Sequence, residues 1–448
     1  MKLSYPNYSD DSNRFVDLST DGLSLLGQGT FGDVSLVIDK GPKYKNKMNS
    51  KIQVRYGVIK TIRNGFHVSS NGSNDMWTTA TTTTTTSMNN NHSYQITREA
   101  FCEMTALRLL TNNQWKHPCI TPLLSVFPTP SIHYRGLPSN SLSLAFPYCP
   151  ASLYDILERR KMSSTQHYLP ASNLRIMWKD MLSAVSHCHT NGIVHRDIKP
   201  GNFLISGNGY MQLADFGLAR SNQSKEEDMG TLNYLSPEIL YGSKTCDCSI
   251  DTFALGLVLL ECLQLQILIQ GFNTMDQLSK MFRIFGTPGT DQCWPNARTL
   301  PDFHKVKFPA WEPMNLQQII PRLHELENGL QIMIQGMIEL DPKKRLTTND
   351  CLAHPWFSKD VQGLERIQLL HELVDNEWLE PDLLLVDNDE NSPQWDDVKS
   401  NAISMVKRRK EISEKRNGDW GKGVLRSLGT PQDEKTDTII EFVCQVKT

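Results

Sequence analysis

Two short strings in the middle of the chain contain the residue types that phosphoryl transfer requires. In VHRDIKPGNFLI, Asp197 is followed by Lys199 and, five positions after the aspartate, by Asn202. In LADFGLAR, Asp215 follows Asn202 by thirteen positions. One carboxylate can orient a hydroxyl group and accept its proton, while an amide and a second carboxylate can hold Mg²⁺ against phosphate oxygens. The types and spacing therefore predict a site for phosphoryl transfer.

A glycine-rich string near the N-terminus fits the same chemistry. GQGTFGDV places Gly27, Gly29 and Gly32 in the spacing G-x-G-x-x-G-x-V. Glycines let a hairpin lie close over a polyphosphate, with backbone N–H groups free to bond its oxygens. Such a string alone is equally compatible with an ordinary structural turn. The two downstream strings favour its assignment to phosphate binding.

These three strings, in this order, resemble the eukaryotic protein kinases, and the resemblance runs from about Leu23 to Phe357. It implies an α+β bilobal protein kinase fold, with a small β-rich N-lobe carrying one regulatory helix and a larger, mainly α-helical C-lobe. It also implies ATP and Mg²⁺ as cofactors. The implied organisation is a disordered lead-in at 1–20, a kinase domain at 21–357 and a C-terminal extension at 358–448. Within the domain, the N-lobe is expected at 21–145, the hinge at 146–150 and the C-lobe at 151–357.

The resemblance assigns Lys60, in YGVIK, to contact with the α- and β-phosphates. Its ion-pair partner is expected on the following helix, at Glu103 or Glu99. We favour Glu103 because apolar residues follow it at positions +1, +4 and +7, which places it beside the core-facing stripe of the helix. Glu99 lies one turn earlier and remains the alternative.

The string AFPYCPASL resembles the hinge, and Phe146 is expected to guard the back of the nucleotide pocket. Pro147 keeps its carbonyl group and Cys149 keeps both backbone groups, so adenine can pair with the Pro147 C=O and the Cys149 N–H. The expected ATP-binding set is Gly27, Gln28, Gly29, Thr30, Phe31, Gly32, Val34, Val58, Lys60, Glu103, Phe146, Pro147, Cys149 and Leu204.

The resemblance also assigns the catalytic and metal-binding residues. Asp197 is expected to orient the acceptor hydroxyl, while Lys199 and Thr231 stabilise the transferring phosphate and hold the Asp197 side chain. Asn202 and Asp215 are the expected Mg²⁺ ligands. Three further residues are expected to act structurally: Glu238 and Arg345 as a buried ion pair, and Asp251 as an anchor for the catalytic-loop backbone.

The elements that must position these residues are visible in the hydrophobic pattern. It predicts a hairpin over 23–38, a third strand over 54–62 and a helix over 96–110, followed by mostly helical sequence over 150–357. The lysine-rich segment 40–51 is expected to be a solvated loop, and the Thr/Asn-rich segment 64–93 a disordered insertion. In the C-terminal extension one amphipathic stretch stands out, comprising Ile367, Leu370, Leu373 and Val374.

Composition narrows the possible partners. The net charge of −3 gives no basis for bulk binding to nucleic acid or membrane. The apolar run 253–269 is too short for a membrane span and predicts a buried core helix.

The ten cysteines include no CxxC pair, and no secretory signal is visible, so we expect a reduced cytoplasmic or nuclear location. The basic string 407–416 is either a nuclear import signal or a solvated charged helix.

Several features identify a subgroup by resemblance. Lys199 and Thr231 resemble serine/threonine kinases, and the segment 278–311 resembles the insert of cyclin-dependent kinases. Three departures are evident: the helix around Glu103 lacks the cyclin-docking string, Phe31 replaces an inhibitory tyrosine, and Leu235 replaces an arginine that favours a proline after the phosphorylated residue.

The fungal single-subunit kinases that activate cyclin-dependent kinases share these departures. The resemblance to them implies a monomeric enzyme, with cyclin-dependent kinases as protein substrates and no cyclin requirement. Two alternatives remain open at this point. One is a cyclin-partnered kinase, and the other is a pseudokinase acting as a binding module, which the presence of Lys60, Asp197, Asn202 and Asp215 disfavours.

An acidic run, Glu226 to Asp228, precedes the string MGTLNYLSPE. Glu226 lies twelve residues before Glu238, where activated relatives carry a phosphothreonine that binds arginines, including the one equivalent to Arg196. One hypothesis is that the run supplies this negative charge permanently. The alternative is that it forms an ordinary solvated loop face.

Overall fold

The computed structural model describes the chain in several stretches and places them in two lobes. The described residues are 14–17, 25–29, 32–40, 51–62, 98–111, 117–132, 138–162, 168–222, 224–225, 230–288, 294–358, 365–366, 368–370, 383–387 and 397–407. In the described part of the chain, one lobe is built on an antiparallel sheet with a long helix beside it, and the other lobe is mainly helical. The predicted α+β bilobal architecture is confirmed.

The sheet of the N-lobe is antiparallel throughout its described part. Its strands follow the order β1-β3-β4-β6-β5, and β2 also pairs with β3. Helix α1 packs beside this sheet. The bounds are β1 (Phe15–Asp17), β2 (Leu25–Gly29), β3 (Gly32–Asp39), β4 (Lys51–Ile62), α1 (Arg98–Thr111), β5 (Ser125–Ile132) and β6 (Pro138–Pro147).

The C-lobe surrounds one long buried helix. Its strands are short: β7 (Ala151–Ser152), β8 (Ile193–Val194), β9 (Phe203–Ile205), β10 (Met211–Leu213), β11 (Arg220–Ser221), β12 (Ser224–Lys225) and β13 (Thr245–Cys246). Its helices are α2 (Leu153–Met162), α3 (Ala171–Thr190), α4 (Pro237–Leu240), α5 (Cys248–Gln264), α6 (Thr274–Phe285), α7 (Leu316–Ile319), α8 (Asn328–Met337) and α9 (Thr348–Leu352). Residues 250–263 of α5 are all buried, so the core helix predicted for 253–269 is confirmed as far as Gln264, and 265–269 lie beyond its end.

The predicted N-lobe elements are present, with two corrections. The predicted hairpin appears as β2 and β3, and the third strand begins three residues earlier than expected, at Lys51. The disordered lead-in predicted for 1–20 is wrong at Phe15–Asp17, because these residues pair with the end of β3 as strand β1. Phe15 stacks on Phe127 with ring centroids 5.5 Å apart, a contact that a local sequence pattern cannot indicate. Of the loop predicted at 40–51, Lys51 belongs instead to strand β4, while residues 41–50 and the insertion at 64–93 lie outside the described residues.

The C-terminal extension packs against both lobes. Near residue 366 it contacts the C-lobe, where Leu369 and Leu370 join the main core. Strand β14 (Leu383–Asp387) pairs antiparallel with the first half of β4, and a helical segment at 397–407 packs against the N-lobe. Of the predicted amphipathic stretch, Leu370 is buried and the other three residues lie outside the described part. In the part of the chain that the structure describes, no helix is long and apolar enough to cross a membrane.

Helix α5 contains two buried acids, Asp251 and Glu261, of which Glu261 is 5% exposed. Its Oε2 accepts a hydrogen bond from Tyr234 Oη at 2.8 Å. Burial raises the pKa of Glu261 to about 7 from 4.5, although the Tyr234 hydrogen bond opposes the shift. The folded chain therefore holds a proton here that the unfolded chain releases between these two pH values, so this group lowers stability as pH rises through that window.

We expect Glu261→Gln to stabilise the protein by about 3 kcal/mol at pH 8 and by less than about 1 kcal/mol at pH 5, because glutamine accepts the Tyr234 bond without ionising. Thermal melting of both proteins at the two pH values measures the difference. Glu312→Gln, at an exposed position, is the control. Equal melting shifts at both pH values would contradict the assignment of a raised pKa to Glu261.

Candidate active site

A cavity of about 490 Å³ lies between the sheet and the helical lobe. Residues from all of the predicted functional groups converge on it, although they lie far apart in the chain. The predicted residues that line it are Val34, Val58, Lys60, Glu103, Phe146, Pro147, Cys149, Asp197, Lys199, Asn202, Leu204 and Asp215. Thr231 lies beside this group and contacts Asp197.

Lys60, near the end of β4, contacts two carboxylates. Its Nζ lies 2.8 Å from Oε2 of Glu103 on α1 and 2.9 Å from Oδ1 of Asp215. Burial alone would lower the pKa of Lys60, but the charges of Glu103 and Asp215 raise it above its usual value, so the ammonium stays charged. Of the two glutamates that the sequence offered as partners, the structure pairs Glu103 with Lys60.

Helix α1 presents Glu103 because its buried residues pack in two directions. Ala100 packs against the sheet in a cluster with Leu144, and Leu107 and Leu110 join the core of the C-lobe. Glu103 lies between these contacts and is only 2% exposed. The two packing surfaces therefore determine which side chain of α1 faces Lys60.

Asp197 is held by three neighbours. Lys199 Nζ donates to its Oδ2 at 2.6 Å and to Thr231 Oγ1 at 3.0 Å. Thr231 donates to Asp197 Oδ1 from both its N, at 3.0 Å, and its Oγ1, at 2.8 Å. Asn202 Nδ2 donates to the Asp197 carbonyl at 2.8 Å. The site thus fixes the rotamer of Asp197 before any substrate arrives.

The electrostatics around Asp197 favour its ionised form. Burial raises its pKa, but hydrogen bonding and charge from Lys199 outweigh burial, so the pKa falls below its usual value. A carboxylate with a lowered pKa is a weak base. Such a carboxylate can orient an acceptor hydroxyl, and it can accept the proton once the hydroxyl oxygen has begun to bond phosphorus, because that bonding makes the proton more acidic.

Asn202 and Asp215 form a suitable donor set for Mg²⁺. Charge and hydrogen bonding from Lys60 outweigh burial and lower the pKa of Asp215, so its carboxylate is ionised. The amide nitrogen of Asn202 donates to Asp197, which leaves the amide oxygen able to bind a metal ion. Within the described residues no cluster of three His, Cys, Asp or Glu could hold a metal alone. Mg²⁺ suits this arrangement because it is typically bound by one or two carboxylates together with substrate phosphates and water.

Two residues beside the site adopt left-handed backbone conformations. Arg196 has φ 71° and Asp215 has φ 61°, and each such residue costs on the order of 1–3 kcal/mol. Asp251 stabilises the strained conformation of Arg196. Its carboxylate accepts hydrogen bonds from the backbone N of His195 at 2.7 Å and of Arg196 at 2.8 Å. The His195 ring bonds to the Ala214 carbonyl at 3.0 Å and so joins this loop to the one that carries Asp215.

The structural ion pair expected from the sequence is also present. Arg345 makes two contacts of 2.6 Å with the carboxylate of Glu238, and both side chains are buried. Paired N–H···O bonds of this kind are geometrically specific. The pair fixes α4, at the end of the segment that carries Thr231, to the sequence near Arg345.

Parts of the expected site fall outside the described residues. The glycine-rich hairpin is present as a strand pair, with Gly27 opposite Val34, Gln28 opposite Asp33 and Gly29 opposite Gly32. Thr30 and Phe31 at its tip are not among the described residues. Neither is the acidic run Glu226 to Asp228, so its proposed contact with Arg196 remains a hypothesis from sequence.

The cavity also contains residues that the sequence analysis missed. They are Leu26, Thr121, Ala151, Ser152, Asp155, Gly201 and Ala214. Asp155 lies in the first turn of α2, where its Oδ2 accepts hydrogen bonds from Ser152 N at 3.0 Å and Ser152 Oγ at 2.8 Å. A serine followed three residues later by an acid is typical of the start of a helix. Ser152 and Asp155 have this spacing, so the sequence contained a signal for Asp155 just after the predicted hinge.

A cleft that holds a charge-paired lysine, a fixed aspartate and an Asn/Asp donor pair defines a phosphotransferase of the protein kinase class. The family model described as "Protein kinase domain" matches residues 76–357 of the chain. The chain therefore belongs to the protein kinase family, whose members transfer a phosphoryl group from ATP with the help of Mg²⁺.

The similar proteins refine this assignment to a cyclin-dependent-kinase-like protein kinase. Cyclin-dependent kinase 20 of Danio rerio is 32% identical over 270 residues, which cover 59% of this chain and 72% of the relative. Cyclin-dependent kinase 20 of Pongo abelii is 32% identical over 267 residues, which cover 58% and 71%. A chain in the structure of the CAK complex from Chaetomium thermophilum bound to ATP-gamma-S shares the fold, with a TM-score of 0.58 and 24% identity over 79% of this chain and 94% of that chain.

The pairing of Lys60 with Glu103 can be tested against Glu99 on the same helix. We expect Glu103→Gln to lower kcat/KM about 100-fold, because Lys60 loses the charge that holds it over the phosphates. Glu99→Gln, the matched control, should change kcat/KM less than about twofold. Steady-state phosphorylation assays with varied ATP measure both effects. A large loss in the Glu99 variant with normal activity in the Glu103 variant would reverse the assignment.

Proposed function

We propose that the chain is a protein serine/threonine kinase that phosphorylates the activation-loop threonine of cyclin-dependent kinases in cell-cycle control. It uses Mg-ATP, acts as a monomer in the cytoplasm or nucleus, and requires no cyclin. The observation that carries this proposal is the Lys60 contact with both Glu103 and Asp215, made by elements that the chain's own core supports.

Packing around α1 supports activity without a cyclin. In protein kinases the position of this helix controls whether the lysine–glutamate ion pair forms. Here Ala100 is anchored on the N-lobe sheet, while Leu107 and Leu110 belong to the same buried core as Phe216, which directly follows Asp215. A helix that is fixed at both ends by its own chain needs no second subunit to keep Glu103 at Lys60.

The surroundings of Asp197 support a serine or threonine acceptor. The resemblance to serine/threonine kinases assigns that choice to Lys199 and Thr231, and both side chains bond to Asp197. In the proposed mechanism Lys60, Asn202 and Asp215 bind Mg-ATP, Asp197 orients the acceptor hydroxyl, and Lys199 stabilises the transferring phosphoryl group. Positioning and electrostatic stabilisation then supply most of the rate enhancement.

The surroundings of Leu235 support a target threonine that is not followed by proline. Leu235 packs against a buried apolar cluster that contains Val194, Ile239 and Ile250. Its backbone is extended, with φ −65° and ψ 138°. This position therefore contributes an apolar side chain, where proline-directed relatives contribute the arginine that favours proline after the phosphorylated residue.

A cyclin-partnered kinase is the second candidate, and one observation favours it. Phe101 and Leu109 on α1 are 38% and 55% exposed, and apolar side chains on the outside of this helix suit a protein partner. Stable co-purification with a cyclin, together with activity that depends on that cyclin, distinguishes this candidate from the monomeric enzyme.

The substrate proposal is tested by mixing the purified chain, without cyclin, with a catalytically inactive cyclin-dependent kinase and Mg-ATP. We expect phosphorylation of the activation-loop threonine, since every group assigned to catalysis comes from the one chain. An acceptor with that threonine changed to alanine, and the Asp197→Asn enzyme, are the controls and should show no incorporation at the site. Failure to phosphorylate the threonine, alongside good activity on Ser-Pro peptides, would contradict the substrate proposal.

A further inference from the structure

The C-terminal extension is anchored first on the C-lobe, through Arg366. Its guanidinium bonds to both carboxylate oxygens of Asp180 on α3, at 2.5 and 2.8 Å, and lies 3.8 Å from the ring centroid of Tyr210. Gly209 has φ +75°, and a Cβ there would lie 2.5 Å from the Arg366 carbonyl oxygen. The extension therefore runs in direct contact with the turn between β9 and β10, and only glycine leaves room for it.

The second attachment is to the strand that carries Lys60. Strand β14 pairs with β4 from Leu383 opposite Arg55 to Asp387 opposite Lys51. The later part of β4 pairs with β6, starting at Gly57. Because β4 pairs with both β14 and β6, the extension is part of the same sheet as Lys60, the lysine that binds the nucleotide.

The third attachment is the helical segment 397–407, which we call the tail helix. Its buried residues recur at helical spacing and form one apolar face. That face packs against the end of the N-lobe sheet and against Tyr148, between the two expected hinge contacts. Tyr56 Oη also donates a hydrogen bond to the Val398 carbonyl at 3.4 Å. The buried cluster comprises Leu36, Ile38, Tyr56, Tyr148, Val398, Ala402, Met405 and Val406.

Strand register places the tail helix on the nucleotide side of the sheet. Alternate side chains of a strand share a face, so Tyr56, Val58 and Lys60 of β4 point to the same side. Lys60 and Val58 line the cavity, and Tyr56 packs on the tail helix. Val58 and Leu26 do both, since they line the cavity and also pack against the tail-helix cluster. The C-terminal extension therefore packs behind the N-lobe residues that line the upper side of the cavity.

We propose that the tail helix is a positioning element of the nucleotide site. It holds Val58, Leu26 and the hinge residue Tyr148 at the distance that adenine requires, and the Arg366 anchor ties this support to the opposite lobe. The tail helix belongs to the cluster against which the cavity-lining Val58 and Leu26 pack, and it acts on the cavity through that cluster. The inference rests on ATP use by the kinase family and is independent of which protein the enzyme phosphorylates.

The test compares two glutamate substitutions in the tail helix of the full chain. Ala402 is fully buried and Ser404 is exposed, so Ala402→Glu disrupts the packed face and Ser404→Glu is the matched control. We expect Ala402→Glu to raise the Kd for Mg-ATP, measured by titration calorimetry, about tenfold. Its KM for ATP should rise in parallel, while kcat and the KM for the protein substrate change less than about twofold. Ser404→Glu should match the wild type.

Val406→Ala provides a milder variant that keeps the proposal falsifiable if Ala402→Glu fails to fold. It removes two methyl groups from the same face, and we expect the Kd for Mg-ATP to rise about threefold with kcat unchanged. Wild-type Kd values in both folded variants would overturn the proposal. So would a fall in kcat without any change in ATP affinity. Calorimetry needs no protein substrate, so a wrong substrate proposal leaves this result interpretable.

Discussion

The charge of Lys60 is the constraint on which the rest of the structure depends. This ammonium is largely buried, and two carboxylates from different parts of the chain offset the cost of burying it. Removal of either partner would leave a buried charge less than fully compensated, which is far more costly than the loss of a surface ion pair. The position of α1, the end of β4 and the loop at Asp215 are therefore determined together.

A second constraint is the strained backbone at Arg196 and Asp215. Neither conformation would persist in an isolated loop, because a side chain with a Cβ disfavours it. Asp251, from the first turn of the buried helix α5, supports Arg196 directly, and His195 links that loop to the loop at Asp215. The backbone conformation beside the candidate active site is thus supported by the C-lobe core.

The C-terminal extension changes the physical boundaries of the kinase unit. Strand β14 pairs with the first half of β4, and the tail helix covers apolar residues beside the hinge. Arg366 forms a buried ion pair with Asp180. Residues far along the chain are therefore part of the core of both lobes. The extension provides hydrogen-bond partners for a sheet edge and covers an apolar surface, both of which would otherwise face solvent. This arrangement also reduces the tendency to associate with other chains.

The sequence by itself determined the chemistry of this protein. The spacing of Asp197, Asn202 and Asp215 predicts a phosphoryl-transfer site, and the helical stripe after Glu103 favours it over Glu99, a choice that the contact with Lys60 then decides. Those signals are local, because catalytic loops and helix faces are encoded by neighbouring residues. Only the tertiary structure decided that Phe15 pairs with β3 and that the tail helix joins the cluster on which Val58 packs. Strand pairing and side-chain packing between distant segments depend on the complementarity of folded surfaces. The hydrophobic periodicity of a short stretch of sequence does not encode that complementarity.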